Sequence, residues 1–220
     1  AEDSAAGTHS IVYSSYGEGN CILSGGDEIT GWKLFDEEKN IYRAKINTGI
    51  SSRQLFINGI RAVRARSNGG LSDCTYDSGE SGHTTTDTFL AEYKYPSDLE
   101  FVYNGEWVQN RIGVESINVR NGIANIKMKI GWRNYRQSGN YGGLAPAYYE
   151  NAYELLDEEG EFYTDKHEGY VYYKPRKNED ITTAEVIMPV SEKLINVKGT
   201  LDNFVSGISF VNLSFAYTSW

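Results

Sequence analysis

The stretch SINVRNGIANIKMKI, residues 116–130, decides the fold class of this chain. Asn121-Gly122 stands between two apolar segments, and both residues tolerate the positive φ angles that a type I′ turn requires at its centre. After the turn, apolar residues alternate with lysines in the order Ile126, Lys127, Met128, Lys129 and Ile130. Alternation with a period of two gives a strand one buried face and one solvated face. The stretch therefore predicts an antiparallel β-hairpin.

The same turn signal occurs twice more, at Asn58-Gly59 between LFI and IRAV, and at Asn104-Gly105 between FVY and EWVQ. Three such turns indicate antiparallel sheet through the middle of the chain. Seventeen tyrosines and twenty-three glycines, against four prolines, are also typical of many short strands and turns. We therefore predict an all-β fold, an antiparallel β-sandwich with one short helix.

The short helix is predicted from the segment that follows Pro146. Apolar and aromatic residues recur there at helical spacing and a glycine comes after them, in the order Tyr149, Ala152, Tyr153, Leu156 and Gly160. Proline is favoured in the first turn of a helix and glycine just past its end. The pattern predicts a single helix of about ten residues.

The two ends of the chain carry short apolar strands separated by turns, in IVYSSYGEGNCILSGG near the start and in KLINVKGTLDNFVSGISFVNLSFAYTSW near the finish. This spacing suits the rungs, or successive turns, of a β-solenoid. The ends either pair with each other as sheet strands or are the edges of a longer β-helix. We predict one module over residues 1–220, with an antiparallel core over 31–190 and rung-like terminal strands over 1–30 and 191–220.

The charge of the chain argues against two classes of partner. Thirty acidic and twenty-one basic residues give a formal net charge of −9, and no run of basic residues follows one helix face. Nucleic acids and anionic membranes are therefore not expected as partners. No apolar stretch approaches the roughly 18 to 20 residues of a membrane span, and AEDSAAGTHS lacks the pattern of a signal peptide.

The sequence gives little indication of cysteine chemistry or of a metal site. Cys21 and Cys74 are either two free thiols or one optional bridge, and no zinc pattern joins them to a histidine. The polar, glycine-rich residues 67–88 predict a long loop. Four acids in it are candidates for calcium, although their spacing matches no EF-hand: Asp73, Asp77, Glu80 and Asp87. We expect no cofactor.

The segment GWRNYRQSGNYGG, residues 131–143, combines aromatic rings with hydrogen-bonding side chains. A sugar ring presents apolar C–H faces that stack on aromatic rings, and hydroxyls that pair with polar groups. The candidate stacking rings are Trp132, Tyr135 and Tyr141. The candidate hydrogen-bonding residues are Arg133, Asn134, Arg136 and Gln137. The alternative is that the rings pack on the domain, and Trp132 in particular continues an alternating strand.

Trp107 is a further candidate for ligand binding. It follows the Asn104-Gly105 turn, where a tryptophan either packs across the hairpin or presents its ring to a ligand. A glycosidase instead needs two carboxylates, about 5 Å apart for retention or about 6.5 to 9.5 Å apart for inversion. Glu150 and Glu106 are the candidates for that alternative. Glu150 is also explained as part of a solvated or capping helix face with Glu154.

Seven segments, taken in order, carry a resemblance to a known family. They are RQLFINGIRAVRAR, DLEFVYNGEWVQNRIGVESI, KIGWRN, YYENAYELLDEEGEFYTDK, VYYKPRKNED, AEVIMPVSEKLINVKG and ISFVNLSFAYTSW. Together they resemble the N-terminal part of large secreted bacterial right-handed parallel β-helix proteins, including those of glycoside hydrolase family 141. The resemblance implies an antiparallel β-domain inserted after the first rungs, with FVNLSFAYTSW leading back into the helix. It carries over no catalytic residue, because the family's catalytic carboxylates are expected on later rungs.

The resemblance implies work on glycans outside the cell, and together with the aromatic segment it leads us to predict a non-catalytic module of a secreted bacterial glycan-degrading enzyme, attached to other modules. Its expected ligand is a plant cell wall polysaccharide, a β-glucan or a hemicellulose such as xyloglucan or xylan. Two alternatives stay open. The chain is either a small glycoside hydrolase or a fragment of one, or a structural domain that caps a β-helix.

Overall fold

The computed structural model describes residues 4–5, 9–76, 82–129, 131 and 145–219. Its strands, in chain order, are β1 (Ile11–Ser14), β2 (Cys21–Ser24), β3 (Gly26–Glu28), β4 (Lys33–Asp36), β5 (Ile41–Lys45), β6 (Phe56–Ile57), β7 (Ile60–Arg61), β8 (Val63–Arg64), β9 (Thr75–Tyr76), β10 (Gly82–Thr85), β11 (Glu100–Asn104), β12 (Gln109–Arg120), β13 (Ile123–Met128), β14 (Tyr148–Glu150), β15 (Glu161–Asp165), β16 (Tyr170–Tyr173), β17 (Val186–Pro189), β18 (Ile208–Val211) and β19 (Leu213–Ala216). Short 3-10 helices span Thr88–Glu92, Pro96–Asp98 and Tyr153–Leu155. The all-β prediction is confirmed.

The chain forms two compact units. Residues 31–51 and 62–183 make one, which we call the two-sheet unit, and residues 1–30, 52–61 and 184–220 make the other, the terminal unit. We predicted one module with an antiparallel core over residues 31–190. The presence of two compact units does not test this, so it stays a prediction.

The two-sheet unit contains a six-stranded sheet, in the order β14-β11-β12-β13-β10-β9, and a five-stranded sheet, in the order β4-β5-β16-β15-β8. One cluster of buried apolar side chains draws on both sheets: Phe101, Tyr103 and Ile126 belong to the first, and Ile41 and Tyr172 to the second. Two sheets that share one apolar core are the arrangement of a β-sandwich.

The hairpin predicted at residues 116–130 is present. Asn121 and Gly122 have φ angles of 51° and 75°, as a type I′ turn requires. β12 and β13 pair on either side of it, with Ile117 opposite Ile126. Ile126 and Met128 are buried, whereas Lys127 between them is exposed. Ile130 lies outside the described residues.

The other two Asn-Gly hairpins are also present, with one difference in the turn. Asn58 and Gly59 both have positive φ and join β6 directly to β7. Asn104 instead lies inside β11 and pairs with Gln109. The turn there is a longer one, in which the backbone N–H of Gly105 donates to the carbonyl of Val108. Because Asn104 pairs across the sheet, the turn follows it and is centred two residues further along the chain than predicted.

The prediction of a ten-residue helix after Pro146 is wrong. Residues 148–150 form β14, which pairs with β11, and only Tyr153–Leu155 is helical, as a 3-10 turn. Asn151 has a φ of 76°, which an α-helix does not allow. Tyr149, Ala152 and Leu156 are nevertheless buried. The spacing marked core residues correctly, but strand pairing replaced the helix.

The terminal unit contains the rung-like strands. β1 pairs in parallel with β18, so that Ile11 lies opposite Ile208. β2 pairs in parallel with β19, with Cys21 opposite Leu213. Two successive strands from the start of the chain therefore stack on two successive strands from its finish. This is how neighbouring rungs of a parallel β-helix pair, and the expectation of rung-like terminal strands is confirmed.

The terminal unit also contains a four-stranded sheet in the order β3-β17-β6-β7. Among the described residues no helix is long and apolar enough to cross a membrane.

Candidate functional site

The segment with the largest number of predicted ligand contacts lies outside the described residues. It includes the predicted stacking rings Trp132, Tyr135 and Tyr141. It also includes the predicted hydrogen-bonding residues Arg133, Asn134, Arg136 and Gln137. Their assignment to ligand binding stays a prediction. In the chain they begin four residues after Met128, the last residue of β13, and the described residues resume at Ala145.

Trp107 lies in the turn between β11 and β12, and 82% of its surface is exposed. The alternative in which this ring packs across the hairpin is therefore wrong. An exposed tryptophan suits stacking on a sugar ring, so its role in ligand binding remains a prediction that the geometry allows.

The two candidate catalytic acids differ in their environment. Glu106 is exposed in the same turn as Trp107. Glu150 is 3% exposed, and its Oε1 accepts hydrogen bonds from Arg64 Nη1 at 3.0 Å and from Arg111 Nε at 2.9 Å. The interpretation of Glu150 as part of a solvated helix face is wrong, because β14 places it inside the two-sheet unit.

Glu150 belongs to a buried ion network. Arg64 on β8 pairs with Glu150 and also with Glu100 on β11, and the side chain of Arg64 is only 7% exposed. Arg111 on β12 lies on the other side of Glu150 and approaches the hydroxyl of Tyr148. Buried ions are found where each is paired and hydrogen-bonded. The network is therefore well suited to linking β8, β11, β12 and β14.

A cysteine and a histidine that sequence reasoning did not connect lie side by side in the two-sheet unit. Cys74 Sγ is 3.5 Å from Nδ1 of His83, and Nε2 of His83 is 2.7 Å from the hydroxyl of Tyr103. Burial raises the pKa of Cys74 to about 11, with a smaller contribution from Asp87. Burial also lowers the pKa of His83 to about 4. Near neutral pH the pair is thus an uncharged thiol and imidazole, which is the opposite of an activated cysteine nucleophile.

His83 should make the stability of the domain depend on pH. Its pKa is about 4 in the folded chain and about 6.5 when unfolded. Below pH 6.5 the unfolded chain binds a proton that the folded chain does not, so stability falls until the pH reaches about 4. At about 1.4 kcal/mol for each pH unit, the contribution is about 3 kcal/mol.

The measurement is urea unfolding between about pH 4 and 7, comparing the unmodified chain with His83→Gln. Because all other titrating groups are shared, the variant is expected to lose less stability over this range. Equal slopes for the two proteins would show that His83 is not responsible.

The structure bears on the cysteines but does not test the predicted calcium site. Cys21 and Cys74 are both free thiols. Within the described residues, no group of three or more His, Cys, Asp or Glu side chains is arranged to hold a metal. Asp77 and Glu80 lie outside those residues, so the calcium site stays a prediction. Asp87 Oδ2 accepts the backbone N–H of Ser72 at 2.7 Å, a role in shaping the loop.

A surface that the sequence did not reveal lies at the edge of the five-stranded sheet. The Arg43 guanidinium lies over the rings of Phe35 and Tyr170, at 4.3 and 4.4 Å from their centroids. Lys45 Nζ lies 5.8 Å from the centroid of the same Tyr170 ring. We call Phe35, Arg43, Lys45 and Tyr170 the Arg43 face.

Strand register explains how these residues meet. β4, β5 and β16 are neighbours, and Arg43 lies opposite both Lys33 and Tyr172, while Lys45 lies opposite Tyr170. Residues directly opposite one another in an antiparallel pair share a face. Phe35 comes at an irregularity between Leu34 and Asp36, and 44% of its surface is exposed. The Arg43 face therefore continues the core face of the sheet outward to its β4 edge.

The ring of Phe35 also packs against two other aromatic rings. Its ring meets Tyr172 at 5.1 Å and Tyr153 at 6.1 Å, both edge to face. Tyr172 is buried. The exposed ring thus rests on fixed neighbours, and little side-chain freedom remains to be lost when a ligand binds.

The terminal unit carries a polar cavity of about 350 Å³. It lies where the β1–β2 connection meets the β18–β19 connection, and its lining includes Ser15, Glu18, Asn20, Asn212 and Ser214. Most of these residues are exposed. The cavity lacks the aromatic platform of the Arg43 face, so we regard it as the weaker candidate for a sugar.

The fold defines a class of protein, a two-sheet β-domain whose flanking chain ends carry rung-like strands that pair in parallel. Residues 43–176, more than half of the chain, match the family model of the GH141 insertion domain. The chain therefore belongs to the family of glycoside hydrolase family 141 insertion domains. The resemblance seen in the seven sequence segments is confirmed.

A solved structure titled "Glycoside hydrolase" is similar over the full length of this chain, with a TM-score of 0.79 and 29% sequence identity. The chain spans 40% of the length of that glycoside hydrolase. No curated protein matches the chain.

Proposed function

We propose that this chain is a non-catalytic polysaccharide-binding domain of a secreted bacterial glycan-degrading enzyme. The expected ligand is a plant cell wall polysaccharide, a β-glucan or a hemicellulose such as xyloglucan or xylan. The observation that carries the proposal is the Arg43 face, where Phe35 and Tyr170 present rings next to hydrogen-bond donors. Such a combination offers a sugar both an apolar platform and polar partners. Similarity to a solved glycoside hydrolase supports the proposal that the domain is part of a glycan-degrading enzyme.

Native affinity electrophoresis against β-glucan, xyloglucan and xylan tests the proposal, with released reducing ends assayed in the same mixtures. We expect retardation on at least one polymer without new reducing ends. Release of reducing ends would favour a glycoside hydrolase instead. The burial of Glu150 between two arginines gives that alternative no support from geometry.

Phe35→Ala is expected to weaken binding by about twofold to tenfold, because the loss of one stacking ring costs about 0.5 to 1.5 kcal/mol. Phe89→Ala is a matched control, because Phe89 is similarly exposed, at 42%, and is also in the two-sheet unit. Equal binding by both variants would exclude Phe35 as a platform. Trp107→Ala, Trp132→Ala, Tyr135→Ala and Tyr141→Ala would then test the other predicted rings.

The parallel strand pairs favour one other function, that of a structural domain at the end of a β-helix. The pairs β1–β18 and β2–β19 have the geometry of stacked rungs, and large apolar side chains on them, including Ile22 and Phe215, are exposed. A purely structural domain predicts neither retardation nor release on any polymer. The same electrophoresis therefore separates the three possibilities.

A further inference from the structure

The Arg43 face combines its aromatic rings with more positive charge than the rest of the chain would suggest. The whole chain has a net charge of −9, yet Lys33, Arg43 and Lys45 occupy one face of β4 and β5. Lys39, in the turn between these strands, has its Nζ 5.7 Å from the ring of Tyr153. Cross-strand register thus places Lys33, Arg43 and Lys45 together, although the segment that joins their strands also carries Asp36, Glu37 and Glu38.

The cations of this face are not neutralised by neighbouring acids. Within the described part of the chain, neither Arg43 nor Lys45 forms an ion pair. Two of the nearby acids make other contacts. Asp36 accepts the backbone N–H of Lys39 at 3.0 Å, and Glu168 pairs with Lys94 at 2.5 Å. An acidic group of a ligand would therefore meet unpaired positive charge.

Arg43 is held in a way that suits recognition of a carboxylate. Its guanidinium carbon lies 4.3 and 4.4 Å from the centroids of two rings, and the hydroxyl of Tyr172 lies near the guanidinium. Guanidinium has five N–H donors, and those that remain can form a paired contact with a carboxylate. Because the rings already restrict the side chain, binding costs less conformational entropy than at a mobile arginine.

We propose that the Arg43 face binds a uronate residue of an anionic polysaccharide, such as glucuronoxylan. The carboxylate accepts hydrogen bonds from Arg43 and attraction from Lys45, while the sugar ring lies against Phe35 or Tyr170. This inference rests on the proposed polysaccharide-binding function and narrows its ligand class. A neutral glucan offers the same ring faces but no charge, so it makes the weaker ligand.

The test compares one polymer with and without its carboxylates. Glucuronoxylan and the same preparation after chemical reduction of its carboxyl groups are titrated into the chain by calorimetry. We expect the reduced polymer to bind about tenfold more weakly, as the loss of one charge-assisted contact implies. Raising NaCl from about 50 to about 500 mM should weaken binding of the native polymer and leave the reduced polymer unaffected. Polygalacturonate and its reduced form serve as a second pair, in case the linkage of glucuronoxylan does not fit.

Arg43→Gln is expected to remove the preference for the charged polymer. Arg120→Gln is its matched control, since it makes the same change in charge at an exposed position on the β12–β13 hairpin. Both variants are checked for folding by thermal unfolding. Equal binding of native and reduced polymers overturns the uronate inference and leaves polysaccharide binding intact, as does binding of xyloglucan alone. Failure to bind any polymer, charged or neutral, overturns the proposed function itself.

Discussion

Replacing Arg64 with methionine is expected to lower the free energy of unfolding by about 3 to 5 kcal/mol. Arg64 lies between Glu100 and Glu150 in the two-sheet unit, and Glu150 is 3% exposed. In the variant, the carboxylates of Glu100 and Glu150 no longer have the Arg64 guanidinium beside them. Its positive charge compensates for the water that these carboxylates lose on burial. Arg111 still contacts Glu150 at 2.9 Å.

Urea unfolding measures this effect, and Lys127→Met is the control. Lys127 pairs with Glu115 at 2.6 Å, yet both side chains are about half exposed. Solvated pairs of this kind contribute at most about 1 kcal/mol. A loss for Arg64→Met no larger than that for Lys127→Met would show that the buried network does not stabilise the fold.

Replacing Phe101 with alanine is expected to cost about 3 to 5 kcal/mol. Phe101 is fully buried on β11 and contacts Tyr149 and His83, with ring centroids 6.0 Å away in each case. Removing the ring forfeits its burial and leaves a cavity in the core that both sheets share. Thermal or urea unfolding of the variant gives the value.

Phe89→Ala removes the same ring from a position where 42% of the side chain is exposed. Its expected cost is below about 1.5 kcal/mol, because less apolar surface leaves water at this position. Similar losses for the two phenylalanines would argue against the core assigned here. The same Phe89→Ala protein is the control for Phe35→Ala, and thermal unfolding of both variants tells whether a change in binding reflects unfolding.

Much of the fold was predictable from neighbouring residues in the chain. Asn-Gly pairs predicted the hairpins, because few residues tolerate positive φ at both centres of a tight turn. Alternation in residues 123–130 predicted which side of β13 is buried. The helix after Pro146 was mispredicted for the same reason, since spacing at three and four residues marked Tyr149 and Leu156 as core without showing that residues 148–150 would pair with β11.

The candidate site was less predictable. The aromatic rings of segment 131–143 were predicted to bind a ligand because they are close together in sequence, and all of them lie outside the described residues. Phe35, Arg43 and Tyr170 are scattered along the chain, and no local pattern joins them. Cys74 and His83 were likewise not connected, because only the pairing of β9 with β10 brings His83 close to Cys74, the residue that precedes β9.

The sequence by itself determined the all-β class, the hairpins and the rung-like character of the ends. These depend on φ preferences and on the two-residue period of a strand, which act between neighbours in the chain. Only the tertiary structure decided that β1 and β2 stack in parallel on β18 and β19, that Arg64 neutralises Glu100 and Glu150, and that Arg43 rests on Phe35 and Tyr170. Each of these contacts depends on sheet register between segments far apart in sequence, and shifting a strand by one residue would turn its side chains to the opposite face.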